Sequence, residues 1–168
     1  MSLSMYQASI PVFIRQLNNL STILGIAAAH ADEKKIEQSV FLNARLAPDM
    51  LPLSRQVQIA CDSAKGGAAL LAGIEAPAHA DDEASFAELQ ARIAKTQAFL
   101  QGVSAAQIDG SEEHTVTLKR RDKETLFQGQ AFLLDHVLPN FYFHLTTAYA
   151  ILRHNGVAIG KRDFLGTR

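Results

Sequence analysis

Four stretches of the chain return to apolar residues at intervals of three and four, and that period decides what the chain can fold into. Ile10, Phe13, Ile14, Leu17, Leu20 and Leu24 carry it first, and Val57, Cys61, Ala64, Ala68 and Leu71 carry it second. Phe86, Leu89, Ile93 and Leu100 follow, and Leu133, Val137, His144, Ala148, Ile151 and Leu152 close the series. Residues so spaced fall on one side of an α-helix, and a helix with one apolar side must bury it against another element. The period therefore predicts an all-α fold, a bundle of four main helices of about 17 to 25 residues each. We expect a single domain over residues 1–168.

The segments between the stripes set the boundaries. Helix one is expected to end near His30, with Pro11 close to its start, or bending it if the helix begins at Ser4. ADEKKIEQSV reads as a short helical turn. Pro52 suits the first position of helix two, with Asp49 as a nearby cap. Gly66 and Gly67 each cost roughly 1 kcal/mol against alanine inside a helix, so helix two should pack very closely against a neighbour. GIEAPAHADDE is a loop, and Ser85 with Glu88 has the capping-box spacing that starts helix three, which Gly102 stops. In HTVTLKRRDKETLFQG, Val116 and Leu118 alternate with polar residues and a charged turn follows, which predicts a short β-hairpin before the last helix. Pro139 should kink helix four. The tail VAIGKRDFLGTR is too short for another helix and should lie against the bundle through Phe164 and Leu165.

Composition narrows the function classes. A chain of 168 residues that is 48% hydrophobic has ample material for a core, and its formal charge of −1 leaves no footprint for neutralising phosphates, so nucleic acid is not an expected partner. No apolar run reaches the ~20 residues needed to span a bilayer, and MSLSMYQAS lacks a basic, then apolar, leader pattern. No membrane partner and a cytoplasmic location are therefore expected. The single cysteine, Cys61, excludes an internal disulfide or a multi-thiolate metal site, and its place in VQIACDSA suits close packing. No GxSxG elbow or phosphate-cradling glycine loop is present.

The chemistry-bearing residues cluster in LDHVLPNFYFHLTTAYAILRHNGV. His136, Asn140 and His144 are four apart and form a slowly drifting row on one side of helix four. Histidines at i and i+4 can converge on one metal ion, but these two are eight apart, roughly 12 Å along the axis, and share an ion only if the helix bends strongly. The row reads either as part of a metal site or as a hydrogen-bonded polar seam, which would need polar partners on a facing helix. Gln56, Gln58 and Asp62 on helix two are those candidates, the last two four apart on one face; Asp62 also reads as a solvent-side ion pair with Lys65. Tyr149 and Tyr6 could place a hydroxyl near a ligand. Asn43, Arg45 and Asp49 form a polar loop above helix two, read as cap chemistry or as a lip over the open end.

SMYQASIPVFIRQLNNL, LNARLAPDMLPLSRQVQIACDSAKG and LPNFYFHLTTAYAILRHNGVAIGKRDFLG together resemble the bacterial domain-of-unknown-function family numbered nineteen-ninety-three, of the DinB/YfiT-like superfamily. The resemblance runs over essentially the whole chain. It implies a DinB/YfiT-like four-helix bundle whose metal-holding members use a histidine of helix two and the last two of an HxxxHxxxHRGQ-like row in helix four. Here the corresponding positions are Gln58, Asn140 and His144, and LTT stands where RGQ would follow. One imidazole of three survives. Amide oxygens are poorer partners than imidazole for zinc or nickel, so the resemblance implies a degenerate or altered site with a weakly bound divalent metal or none. A pocket at Gln58, Asp62, His136, Asn140, His144 and Tyr149 would then bind a small polar ligand. The resemblance also implies two alternatives: a metal-dependent transferase or isomerase acting on low-molecular-weight thiol adducts, and a non-catalytic structural homodimer.

Overall fold

The computed structural model describes residues 3–120 and 122–166, so the first two residues, the last two and Arg121 lie outside the described residues. The first helix, α1, runs over Met5–Lys34. Ser4 caps it, accepting from the Gln7 amide at 3.3 Å while the Gln7 side chain accepts from the Ser4 amide at 3.2 Å. Pro11 lies inside the helix on an exposed position, where the carbonyl its ring leaves unbonded can reach water. The helix passes the expected end at His30 because Ala27 and Ala31 continue the buried stripe. It stops where Lys35 turns left-handed, at φ 55°, and donates back to Ala31 and Asp32.

A five-residue helix, α2 (Gln38–Leu42), buries Phe41 and Leu42. Helix α3 spans Leu53–Ala72, with Pro52 as its cap residue and Gly73 closing it at φ 65°. Helix α4 spans Phe86–Gln101 and begins where the Ser85 hydroxyl accepts from the Glu88 amide at 3.2 Å. A short α5 (Ala105–Ile108) leads to an antiparallel hairpin, β1 (Thr115–Arg120) with β2 (Lys123–Gln128), in the register Thr115 with Gln128 and Leu118 with Thr125. One turn, α6 (Gly129–Ala131), then opens into a six-residue π-helical segment, Phe132–Val137, which passes into α7 (Leu138–His154).

The expected kink at Pro139 thus takes the form of a π-widened turn just before it. A proline in a helix collides with the carbonyl four residues back, here Asp135, and a turn bonded five residues apart gives that carbonyl room. The tail differs from expectation as well. Lys161–Leu165 forms α8, in which Phe164 packs on the core beside Tyr149 while Leu165 is 52% exposed.

Helix α3 lies between α7 and α4, and α1 packs on α4 and α8. The fold is mostly helical, with one hairpin before its last long helix. Its centre is apolar: Phe13 meets Phe141 edge to face at 5.1 Å, and Leu17, Leu24, Val57, Cys61 and Ile151 are all fully buried. No helix among the described residues is long and apolar enough to cross a membrane.

Candidate functional site

The polar row, with His136 in the π-helical segment and Asn140 and His144 on α7, faces α3, but its members meet different partners from those its spacing suggests. The His144 ring nitrogen Nδ1 lies 2.7 Å from Oε1 of Gln56, and the Gln56 amide nitrogen donates to the Leu51 carbonyl at 2.9 Å. A carbonyl can only accept, so that second bond fixes the amide and requires Nδ1 of His144 to carry the proton. Its Nε2 then holds the lone pair. Burial pushes the His144 ring below the ordinary imidazole value, which favours this neutral form. Asn140, one turn earlier, donates to the Ser63 hydroxyl at 2.6 Å.

Gln58 faces elsewhere. It accepts from Arg55 at 2.6 Å and donates to Glu83 at 2.7 Å, on the side of the α3–α4 linker. Gln56 and Gln58 are both buried, yet two residues on a helix differ by about 200° in direction, so only one of them can face α7. The facing of Gln58 toward His144 is corrected on that ground. Tyr149 is separate again, beside Phe164 and Lys161 at a cavity of about 150 Å³. No bond joins Tyr6 to the row; its amide is tied to Asp109. Asn43 caps α2 by donating to its Ser39 carbonyl, and Arg45 donates to the Met50 carbonyl within the loop that follows.

Asp62 is not a simple surface partner of Lys65. Its Oδ1 receives Lys65 at 3.2 Å and Arg92 at 3.0 Å, and the side chains of these cations are only 8% and 2% exposed. Arg92 also holds Glu83 and Asp81, each at 3.0 Å, and the Ala80 carbonyl at 2.7 Å. Burial pushes the Glu83 carboxyl up, but hydrogen bonds from Arg92 and Gln58 outweigh it and hold Glu83 below the usual glutamate value. Sequence reasoning missed Arg92, although a signal was there: it sits three residues after Leu89 and next to Ile93, inside an apolar stripe. Cys61 lies against this network with its thiol pushed up to about 12, chiefly by burial, so it stays a protonated, inert packing group.

Asp62, His136 and Asn140 converge. With Ser63 and Gly66 they line a cavity of about 190 Å³ between α3 and the π-helical segment, walled on its apolar side by residues that include Leu70, Leu118 and Phe132. His136 stacks on Phe132 at 5.8 Å and leans on Phe127 at 5.5 Å, forming one wall. Gly67 explains how the two elements come so close, since a Cβ there would stand 2.5 Å from a Val137 methyl. Gly66 does not share that reason: a Cβ at Gly66 would meet nothing within 4 Å. A larger cavity of about 420 Å³ lies under the linker; Arg92 pairs with Glu83 on its wall, while Arg92 Nε and His79 Nδ1 have no hydrogen-bond partner among the described residues.

The metal that the fold implies does not fit these residues. Among the described residues no group of three or more His, Cys, Asp or Glu could hold one ion. The amides that might substitute point apart, Gln58 to Glu83, Asn140 to Ser63 and Gln56 to His144, leaving Nε2 of His144 as a lone imidazole donor.

A family model described as Domain of unknown function (DUF1993) matches residues 5–165. The fold is similar to the crystal structure of a DinB family member protein from Shewanella denitrificans, at 44% identity and a TM-score of 0.88, covering 97% of this chain and 92% of that one. No curated protein matches the sequence.

Proposed function

The chain belongs to the DUF1993 family, and from that membership, joined to a donor set that does not converge on an ion, we infer that it is a binding module for a small polar molecule. The molecule sits without a metal in the cavity between α3 and the π-helical segment. Gly66 carries this reading. A glycine inside a helix costs about 1 kcal/mol against alanine. At Gly66 neither a positive φ nor a crowded neighbour calls for one. What the missing side chain leaves is bare helix backbone on the cavity wall, which lets a bound molecule approach closely.

The surroundings support the same reading. π-Helical turns inside helices are frequent at functional sites, and this one forms the opposite wall. Asp62, Ser63 and Asn140 offer a few polar groups among apolar ones, which is how small-molecule sites are built. The metal-dependent transferase or isomerase needs a Lewis acid that Gln56, Gln58, Asn140 and His144 are not gathered to hold.

The test is thermal melting of the untagged full chain, in chelator, against a set of small polar fragments. Some should raise the melting temperature of the wild type and leave Gly66→Leu, whose added side chain occupies the cavity, unmoved. Stoichiometric zinc or nickel retained by the purified protein and lost in His144→Ala would overturn the reading in favour of a metalloenzyme.

A further inference from the structure

We propose that the molecule this cavity takes is a nitrogen-bearing hydrogen-bond donor, a small primary amine or amide on a short apolar body, whose N–H groups meet the free oxygen of Asp62. The proposal rests on the binding reading above and adds the ligand's chemistry.

The Asp62 carboxylate is divided in its duties. Arg92 and Lys65 both meet Oδ1, at 3.0 and 3.2 Å, and among the described residues the hydrogen bond and ion pairs of this carboxylate all fall on that oxygen, leaving Oδ2 to the opening. The two cations are almost fully buried behind a side chain that is itself 43% exposed, so the carboxylate rather than the cations faces the opening. A carboxylate oxygen accepts only. The second polar group is of the same kind: with its nitrogen donated to Ser63, Asn140 has its carbonyl oxygen left over. An acidic ligand would set acceptor against acceptor. An N–H donor matches both.

Charge does not restrict the ligand to a cation. Asp62, Asp81 and Glu83 are balanced by Lys65, Arg92 and Arg55, so the cluster is neutral and a neutral amide is accommodated as well as an ammonium. Size is restricted. At about 190 Å³ the space lies below the ~300–1,000 Å³ of drug-sized pockets. Leu70, Leu118 and Phe132 beside it suit a body of a few carbons.

The experiment is a titration of the ¹⁵N-labelled full chain, followed by amide NMR shifts, with butylammonium, butyramide and butyrate in separate series. Butylammonium and butyramide should give saturable shifts at Asp62, Ser63, Gly66 and Asn140. These should weaken at least about fivefold in Asp62→Asn, the loss of one good hydrogen bond to a charged group. They should disappear in Gly66→Leu, a position with room for its new Cβ and hence expected to fold. Butyrate should leave the four residues unmoved. Equal or tighter binding of butyrate at these residues overturns the donor chemistry while the cavity reading stands. Shifts from none of the three overturn the proposal, and the fragment melts then decide separately whether the cavity binds anything. Shifts that survive Gly66→Leu place the binding elsewhere and also overturn it.

Discussion

Gly66 and Gly67 are adjacent in the same helix, the first half-buried and the second buried, and the space around them makes opposite demands. Gly66→Ala adds a methyl to open space and removes a helix-weakening glycine, so urea unfolding should show a gain of about 1 kcal/mol. Gly67→Ala drives a methyl into the Val137 side chain across a 2.5 Å gap, and should lose about 1–3 kcal/mol through overpacking, less whatever helix propensity returns. Equal signs for the two would show that Val137 of the π-helical segment does not crowd Gly67. His144 makes a second residue-level prediction. Burial holds its ring below the ordinary value of 6.5, so between that folded value and 6.5 the unfolded chain binds more protons than the native one. Its stabilising contribution is therefore fully present above 6.5 and is lost as pH falls through the window. The His144 ring proton should titrate by NMR with a midpoint below 6.5. Unfolding free energy should fall as pH drops below about 6.5, less steeply in His144→Gln. Some slope should remain, because burial also lowers His79.

The α3–α4 linker is held by one buried side chain. Arg92 grips Asp81, Glu83 and the Ala80 carbonyl, and Arg55 and Gln58 assist from α3. Removing one member of a buried ion pair strands the others, so Arg92→Met should cost about 3 kcal/mol in denaturant unfolding. Adding Glu83→Gln to it should restore part of that loss, because the Glu83 side chain, 9% exposed, is the most deeply stranded of the three acids. A double variant no more stable than Arg92→Met alone would show that the charges are not coupled. Hydrogen bonding from Arg55 lowers Asp81 and the bonds from Arg92 and Gln58 lower Glu83, so this clasp is fully present above the usual carboxylate values and loosens as pH falls through their folded ones. Here the sequence is only half readable. The period of three and four locates α1, α3, α4 and α7, because burying one side is a local demand repeated at every turn. GIEAPAHADDE reads as a solvated loop because nothing in its own composition shows that a cation on α4 waits beneath it. Likewise α1 outruns His30, since alanines such as Ala27 and Ala31 carry a buried stripe without looking strongly apolar.

At the scale of the whole molecule, the site turns on which side of α3 the last helix lies. Gln56 and Gln58 flank the buried Val57, one to each side, and the stripe alone cannot say which of them α7 covers; in the assembled fold it is Gln56. The polar row on α7 was thus legible, and so was its need for a partner on α3, but the identity of that partner belongs to the assembled fold. The same choice governs how the fold responds to chelation. With the amides turned to different partners, stability rests on the apolar core between α1, α3 and α7, where Phe13, Val57 and Phe141 are fully buried. Prolonged dialysis of the untagged protein against a strong chelator should therefore change the melting temperature by less than about 1 °C. A metal held at a hundredfold its dissociation constant would contribute about 2.7 kcal/mol, and at roughly 2–4 °C per kcal/mol for a domain of this size its removal would lower the melting temperature by about 5–10 °C. The two outcomes are well separated by calorimetry. A drop of several degrees, reversed by adding zinc or nickel and absent in His144→Ala, would mean that the amides swing round to join His144 at an ion.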